Sequence, residues 1–238
     1  MILTKNKVSK ETVDAMFAVG AHFGYIKSRR HPTTAPFIFG RKNNVEIFDL
    51  EKVEAKLADA KEFIKKLASE GKQVLFVGGK REAASSISEY AMKIDMPHVS
   101  GRWIGGTLTN FSEIRRRVEH FLKLSVQKEK GELVKYKKKE RILIEKEIIK
   151  MEKRFGGIVP MDKKPGAIFI IDADREYIAR DEALQTGVPV ISLAGSDCDY
   201  SKIDYVIPGN DSSVDSIKFF LNEMVESYQE GVAAKKVA

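Results

Sequence analysis

A glycine-rich turn that contains a lysine is the first feature that could do chemistry. The segment VGGKREAASS (77–86) follows an apolar run and precedes a helical stretch, where the N-terminal amides of a helix can hold a phosphate group. The G-x-x-x-x-G-K-S/T spacing of a nucleotide-binding loop is missing, because the glycines directly precede Lys80 and Arg81 stands where Ser or Thr should hold the metal. The pattern favours a tight strand-to-helix turn and leaves both basic side chains as candidates for contact with an RNA phosphate.

A second group of candidate side chains is acidic and lies near the ends of predicted strands in the last third of the chain. Its members are Asp172, Asp174, Asp197, Asp199 and Asp204. Strand ends of doubly wound sheets often carry catalytic carboxylates or a divalent cation. Without a matching base, nucleophile or phosphate loop, we expect these side chains to cap loops and turns. A weakly held magnesium ion is left open here, and no other cofactor is predicted.

Histidine and cysteine give no sign of a metal site or of nucleophilic catalysis. The four histidines and Cys198 lack spacings such as CxxC or HExxH, and the GxSxG pattern is missing. Cys198 is the only cysteine, so no intrachain disulfide can form, and a reducing cytoplasmic compartment is the expected location. We therefore predict no catalytic residues, no metal ligands and no enzymatic activity.

Basic side chains are better candidates, and they favour binding of RNA. They lie in a glycine- and proline-rich segment (20–44), in the VGGKREAASS turn, just before the Gly105-Gly106 pair and on a predicted helix that follows this pair. The predicted RNA-binding residues are Lys27, Arg29, Arg30, His31, Arg41, Lys42, Lys80, Arg81, Arg102, Arg115, Arg116 and Arg117. Arginine presents a planar fork of donors that matches phosphate oxygens, and glycine-rich backbone can approach folded RNA closely. Trp103 could stack on a base, but its position beside glycines favours packing in the core.

Charge is sorted along the sequence. The formal net charge of the 238 residues is +7, with +6 in residues 1–44 and +7 in residues 107–155. Residues 45–106 are neutral overall, whereas residues 156–238 carry −6. A surface selected only for solubility mixes the two signs. We therefore predict that one face meets a polyanion, while the acidic C-terminal third is available to protein partners.

Alternating strands and helices must position these groups. Apolar runs that predict strands are VEIFDL (45–50), QVLFVGG (73–79), AIFIIDA (167–173), VPVISLAG (188–195) and IDYVIPG (203–209). Continuous rather than alternating apolar runs are typical of strands buried on both faces of a parallel sheet. With helical stretches between them, they predict an α/β fold with an open doubly wound sheet of about five strands.

Residues 107–155 interrupt this alternation with two narrow apolar stripes. The stripe residues recur at intervals of three and four, and they are Phe111, Ile114, Val118 and Phe121, then Ile144, Ile148, Met151 and Phe155. Such narrow stripes suit a single partner helix, and Gly131 marks a turn between the two helices. We predict an antiparallel coiled-coil hairpin that projects from the sheet domain. Two ordinary helices packed on the sheet are the alternative.

These patterns divide the chain into four parts. They are an N-terminal helix capped by Ser9 with a basic arm or loop (1–44), an α/β sheet domain in two segments (45–106 and 156–231), the inserted helical hairpin (107–155) and a flexible tail (232–238). No uncharged apolar run approaches the ~20 residues of a membrane-spanning helix. The charged N-terminal residues are not those of a signal peptide.

Several blocks of the sequence resemble the bacterial small-subunit ribosomal protein two family. They are GAHFGYIKSRRHPTTAPFIFGRKNNVEIFDL, VLFVGGKREAA, RWIGGTLTNFSEIRRR, FGGI, PGAIFIIDADREYIARDEA and CDYSKIDYVIPGND, in the order of that family. The resemblance implies a flavodoxin-like sheet domain with an inserted coiled-coil hairpin. It also implies assembly onto small-subunit ribosomal RNA beside neighbouring ribosomal proteins, and a role in docking the large mRNA-binding protein of that subunit.

Three places depart from the pattern of that family. Tyr25 stands where a His usually follows HFG, Arg180 stands where an aliphatic residue is usual, and LAGSDCDY (193–200) replaces a VDTN-type segment. Local contacts at these places are therefore not implied by the resemblance.

The predicted function is that of a structural constituent of the small ribosomal subunit in translation. We expect a cytoplasmic, ribosome-bound protein with ribosomal RNA and ribosomal proteins as partners, no membrane partner and no homo-oligomer. The alternative is a nucleotide-dependent enzyme, because doubly wound sheets host many functions.

Overall fold

A helix and a small antiparallel sheet form the N-terminal part of the protein, whose computed structural model describes residues 10–237. The helix is α1 (Lys10–Ala18), and the strands are β1 (Phe23–Ile26), β2 (Ile38–Lys42) and β3 (Val45–Phe48). β3 lies between the other two strands and is antiparallel to both. The predicted N-terminal helix is thus present, while the cap predicted at Ser9 lies outside the described residues.

The prediction of an extended arm or loop between residues 20 and 44 is wrong in part, because this segment contains two paired strands. Asn43 and Asn44 connect β2 to β3, and their φ angles are 50° and 65°. Positive φ at both central residues is what a two-residue type I′ hairpin requires, and Asn tolerates it better than most residues. The VEIFDL run is a strand, but it pairs with β1 and β2 instead of joining the parallel sheet. The domain boundary predicted between residues 44 and 45 therefore falls inside this hairpin.

Five parallel strands form the central sheet. They are β4 (Val74–Val77), β5 (His98–Val99), β6 (Ala167–Ile171), β7 (Val190–Ala194) and β8 (Tyr205–Pro208). Their order across the sheet is β5-β4-β6-β7-β8. The chain adds β5 on one side of β4 and all later strands on the other side, so the order of the strands reverses between β4 and β6. Every residue of β4, β6 and β7 is buried, which explains why these strands are apolar throughout. The predicted α/β class with a parallel sheet of five strands is confirmed.

Helices cover both faces of the sheet, and two of them extend away from it. After α1 the helices are α2 (Leu50–Ser69), α3 (Arg81–Met92), α4 (Phe111–Glu129), α5 (Lys138–Phe155), α6 (Tyr177–Thr186) and α7 (Val214–Val237). Phe76 and Phe169 point to the face covered by α2, α3 and α7. Alternate strand residues such as Leu75 and Ile168 point to the other face, where α6, the segment 103–108 and the base of α4 and α5 complete a second core.

The two narrow apolar stripes meet in a helical hairpin formed by α4 and α5. Six of the eight predicted stripe residues are buried, whereas Phe111 and Ile144 are half-buried. Across the hairpin, His120 Nε2 lies 3.9 Å from Glu147 Oε1. The buried stripe residues belong to the second core, while residues nearer the tip, such as Val126 and Ile142, are exposed. The base of the hairpin is therefore anchored in the sheet domain, and its tip is in solvent.

The C-terminal helix is longer than the sequence pattern predicts. α7 runs to Val237, so the residues from 232 on, predicted as a flexible tail, continue the helix within the described part of the chain. The segment VAAKKV contains neither Gly nor Pro to end the helix. Gly231 permits close contact with α2, because an added Cβ would lie 2.5 Å from the backbone oxygen of Lys65. No helix within residues 10–237 has the length and apolarity needed to cross a membrane.

Candidate nucleic-acid interface

Lys80 is the centre of a buried ion cluster at the carboxyl ends of the parallel strands. Its Nζ lies 2.7 Å from Asp172 Oδ2 and 3.1 Å from Asp211 Oδ2. Burial by itself lowers the pKa of Lys80, but the two carboxylates outweigh it and raise the pKa above the ordinary value. Nζ also donates to the backbone oxygen of Asp211, at 3.3 Å. Lys80 therefore connects three strand ends inside the protein and is not presented to an RNA phosphate.

The turn that resembles a phosphate loop already holds an anionic group of the protein itself. The backbone N–H of Gly79 donates to the carboxylate of Glu176, at 3.1 Å. A Cβ at position 79 would lie 2.7 Å from that carboxylate and 2.8 Å from the backbone oxygen of Gly101, so only glycine fits. Burial raises the pKa of Glu176. The carboxyl group lies where a nucleotide-dependent enzyme would bind a phosphate, which removes the physical basis for that alternative.

The acidic residues near the strand ends make local structural contacts. Asp199 Oδ1 accepts from the backbone N–H of Ser201 at 3.0 Å, and Asp204 Oδ2 accepts from that of Val190 at 2.8 Å. Asp197 lies 3.7 Å from Arg29. Within residues 10–237, no group of three or more His, Cys, Asp or Glu side chains is arranged to hold a metal ion. The weakly held magnesium ion thus stays a prediction without a cluster of ligands in the described part of the chain.

Glu182 on α6 organises the loop that precedes the hairpin. Its carboxylate accepts from Trp103 Nε1 at 3.1 Å and from the backbone N–H groups of Gly106 at 2.7 Å, Leu108 at 3.0 Å and Thr109 at 3.2 Å. Burial favours the neutral acid, but these hydrogen bonds outweigh it and lower the pKa of Glu182. Trp103 is only 5% exposed. The preference for packing over base stacking at this residue agrees with its burial.

A basic cleft lies between this loop and the base of the hairpin. It has a volume of about 570 Å³, and its uncharged lining consists of Gly101, Trp103, Ile104, Gly105 and Phe155. Its charged lining is entirely basic and consists of Arg102, Arg117, Lys150, Lys153 and Arg154. We call this feature the basic cleft.

The cations of the basic cleft are available to a ligand. All five side chains are exposed. Among residues 10–235, Arg117 has a distant partner, with its Nε 3.7 Å from Glu113, and the other four take part in no ion pair. Next to the cleft, Arg102 and Arg175 line a further depression beside Gly79. The positive surface therefore extends from the hairpin to the start of α6.

The three consecutive arginines of α4 have different roles. Arg115 donates to the backbone oxygen of Val159 at 3.0 Å and pairs with Asp162 at 2.6 Å, so it fastens the hairpin to the sheet domain. Arg116 is exposed and pairs with Glu113 at 3.1 Å. Arg117 lines the basic cleft. A helix turns by about 100° per residue, so three neighbours in sequence cannot share one face.

The basic residues of the N-terminal segment are divided in a similar way. Arg30 donates to the buried carboxylate of Glu46 at 3.2 Å, and the guanidinium of Arg29 lies 4.8 Å from the centre of the Tyr25 ring. His31 caps a 3-10 turn, where its Nδ1 accepts from the backbone N–H of Thr33. The other predicted residues of this segment are exposed, and they are Lys27, Arg41 and Lys42. Outside the segment, Arg81 and Arg102 are exposed as well.

Four basic residues near the loop were missed by the reasoning from sequence. They are Lys150, Lys153, Arg154 and Arg175. The sequence pattern assigned no role to the three on α5. One signal was available, because Lys146, Lys150 and Lys153 recur at intervals of four and three and therefore share a face. That this face lies beside Arg102 depends on the tertiary packing of the hairpin.

Comparisons with known proteins give consistent results. Residues 16–231 match the family described as ribosomal protein S2. The small ribosomal subunit protein uS2 of Geotalea uraniireducens (strain Rf4) is 37% identical over 97% of this chain and 90% of its own length. The protein of that name from Roseiflexus castenholzii is 41% identical over 91% of this chain and 82% of its own length. The protein of that name from Porphyromonas gingivalis (strain ATCC 33277) is 38% identical over 96% of this chain and 82% of its own length.

Proposed function

Because this chain belongs to the ribosomal protein S2 family of structural, non-enzymatic proteins of the small ribosomal subunit, we propose that it binds ribosomal RNA through the basic cleft. Binding there would fix the protein on the small subunit during translation. The surface of the N-terminal sheet, with Lys27, Arg41 and Lys42, is the second part of the proposed contact.

The observation that carries this proposal is the uncompensated charge of the basic cleft. Four of its five cations have no carboxylate partner within residues 10–235, although the molecule contains many exposed acidic side chains. Phosphates supply the missing anions, and arginine binds them through two parallel hydrogen bonds. A Cβ added at Gly101 would meet no atom within 4 Å, and one at Gly105 would meet only the Glu182 carboxylate, at 4.0 Å, so the backbone of both residues allows close approach of a sugar-phosphate chain.

The finer description of the fold belongs to the same proposal. Counted in chain order, the parallel strands are arranged 2-1-3-4-5, which is the order of flavodoxin-like sheets. We infer a flavodoxin-like domain in which α4 and α5 are inserted between the second and third strands. The spacing of the buried residues supports a short antiparallel coiled coil in this hairpin.

We also propose a role in docking the large mRNA-binding protein of the small subunit, through the acidic C-terminal third. Asp174 and Asp215 are exposed there, whereas Asp211 is buried against Lys80 and is not available to a partner. A variant with Asp174→Asn and Asp215→Asn should incorporate normally into small subunits but retain less of that protein, as measured by quantitative mass spectrometry. Unchanged retention would contradict this part of the proposal.

The test of RNA binding is a competition for incorporation into small subunits. A variant with Arg102→Ala, Lys150→Ala and Arg154→Ala is co-expressed with the unmodified protein, and their ratio in purified subunits is measured. We expect a loss on the order of tenfold or more, since three phosphate contacts disappear. The matched control replaces three other surface lysines by alanine, the half-buried Lys56 and the exposed Lys66 and Lys218. Equal incorporation of both triple variants would contradict the proposal.

A further inference from the structure

The side of α5 that faces away from α4 carries a second pattern of residues, which we call the outer face of α5. At about 100° per residue, its members fall within an arc of roughly 140° that is centred opposite the buried stripe. The members are Lys138, Lys139, Ile142, Leu143, Lys146, Ile149, Lys150 and Lys153, and all eight are exposed.

No acidic residue lies on the outer face of α5. The glutamates of the helix are at positions 140, 145, 147 and 152, and the same projection puts them beside the buried stripe, two on each flank. Within residues 10–235, none of the five lysines of the outer face takes part in an ion pair, whereas Glu147 faces His120 on α4. A helix face that is merely solvated mixes charges of both signs. The separation on α5 therefore indicates an acidic ligand.

Aliphatic side chains distinguish the outer face of α5 from the basic cleft. Ile142 is 44% exposed, Leu143 58% and Ile149 61%. Ile142 and Ile149 are seven residues apart, so they lie on one line along the helix, which is the spacing that a partner helix reads. Branched aliphatic side chains add nothing to the binding of phosphates, but they stabilise a protein contact when they are covered.

The two ends of the helix therefore serve different ligands. Lys150 and Lys153 near the base line the basic cleft, and all three aliphatic residues lie on the tip side of Lys150. We propose that the outer face of α5, from Lys138 to Ile149, docks an acidic amphipathic helix of a neighbouring protein. Its apolar side chains cover Ile142 and Ile149, and its carboxylates pair with Lys139 and Lys146. The proposal does not depend on binding of RNA in the basic cleft.

Site-specific photo-crosslinking on assembled small subunits tests the proposal. Ile149→benzoylphenylalanine places a photoreactive ketone on the outer face of α5, and Leu143→benzoylphenylalanine is a second probe of the same face. We expect an adduct that protease destroys and ribonuclease does not. The cross-linked peptide, identified by mass spectrometry, should be rich in Asp and Glu, with aliphatic residues three and four apart.

Two further variants decide whether the charge matters. Lys139→Glu with Lys146→Glu, added to the Ile149 probe, should lower the yield of the adduct at least about fivefold, because the carboxylates of the partner are then repelled. The control probe replaces Leu122 on α4, which is also exposed but lies outside the outer face, and it should not form this adduct. An adduct to ribosomal RNA would identify the face as a nucleic-acid surface and overturn the proposal. No adduct from either probe, a cross-linked peptide without acidic residues, or a yield insensitive to the Lys→Glu changes would also overturn it.

Discussion

At the scale of single residues, Glu182 holds the loop that forms one side of the basic cleft without forming part of its lining. One buried carboxylate accepts hydrogen bonds from the side chain of Trp103 and from three backbone N–H groups. These bonds fix the loop that carries Arg102. The sequence block RDEALQ gives no indication of this role, because the donors lie more than 70 positions earlier in the chain.

The charge of Glu182 should therefore contribute to stability in a pH-dependent way. Its pKa is lowered from the ordinary value of 4.5, so its stabilising contribution is present above pH 4.5 and is lost as the pH falls through the lower folded value. We predict that Glu182→Gln lowers the free energy of unfolding at pH 7 by about 2 to 3 kcal/mol. This difference should narrow progressively in acid.

Denaturant titrations between pH 3 and 7 check this prediction, with the fluorescence of Trp103, the only tryptophan, as the probe. Glu119→Gln on the exposed side of α4 is the control, and it should change stability little at any pH. A difference between wild type and Glu182→Gln that is constant with pH would show that the negative charge of Glu182 contributes nothing to stability.

Lys80 and Arg81 are neighbours that should respond to substitution in opposite ways. Lys80→Met leaves the buried carboxylate of Asp211 and the half-buried carboxylate of Asp172 without their cation, which should cost about 3 to 5 kcal/mol in the free energy of unfolding. Arg81→Met removes an exposed side chain at the start of α3 and should leave stability nearly unchanged. Thermal and denaturant unfolding of both variants are the measurements. Equal small effects would mean that Lys80 is not the centre of the ion cluster.

At the scale of elements, the hairpin tests whether the spacing of apolar residues is enough to locate a core. Ile148 is buried against α4, whereas Ile149, one position later, is 61% exposed. We predict that Ile148→Asp destabilises the hairpin by several kcal/mol, because an unpaired carboxylate would be buried. Ile149→Asp is the matched control and should leave the stability of the hairpin nearly unchanged.

Hydrogen exchange measured by mass spectrometry locates the effect of Ile148→Asp. Faster exchange should be confined to α4 and α5, while the parallel strands stay protected. Cooperative loss of the whole domain would show instead that the hairpin base is an inseparable part of the second core.

Periodicity predicted four of the five parallel strands and the hairpin stripes, because burial of apolar residues follows directly from local spacing. It wrongly put VEIFDL in the parallel sheet, where the short strand β5 lies instead. The N-terminal sheet was not predicted, since its three short strands are partly exposed and their pairing depends on a two-residue Asn-Asn turn. The end of α7 was also missed. Its last residues are weakly amphipathic, and their helical state follows from continuation of a helix already packed on α2.

At the scale of the whole molecule, the sorting of charge along the chain predicts an anionic ligand, but it does not tell which basic side chains are free to meet one. Lys80 and Arg30 pair with the buried carboxylates of Asp211 and Glu46, because a buried charge without a partner is costly. Arg115 is engaged by the backbone oxygen of Val159 at the base of the hairpin. Lys150, Lys153 and Arg154 were missed because their position beside Arg102 depends on how the hairpin is anchored. A count of charges along the sequence cannot distinguish basic residues that pair within the protein from those that are free to pair with a ligand.

The central claim is that the basic cleft binds ribosomal RNA phosphates, and the most direct test is the salt dependence of binding. The protein and its triple variant with Arg102→Ala, Lys150→Ala and Arg154→Ala are titrated onto small-subunit particles depleted of the natural protein, at several salt concentrations. Each lost phosphate contact removes released counterions, so the slope of log K against log salt should become shallower by roughly two to three units. The control variant with Lys56, Lys66 and Lys218 replaced by alanine should keep the slope of the unmodified protein. An unchanged slope for the cleft variant, or an equal change for the control, would contradict the claim.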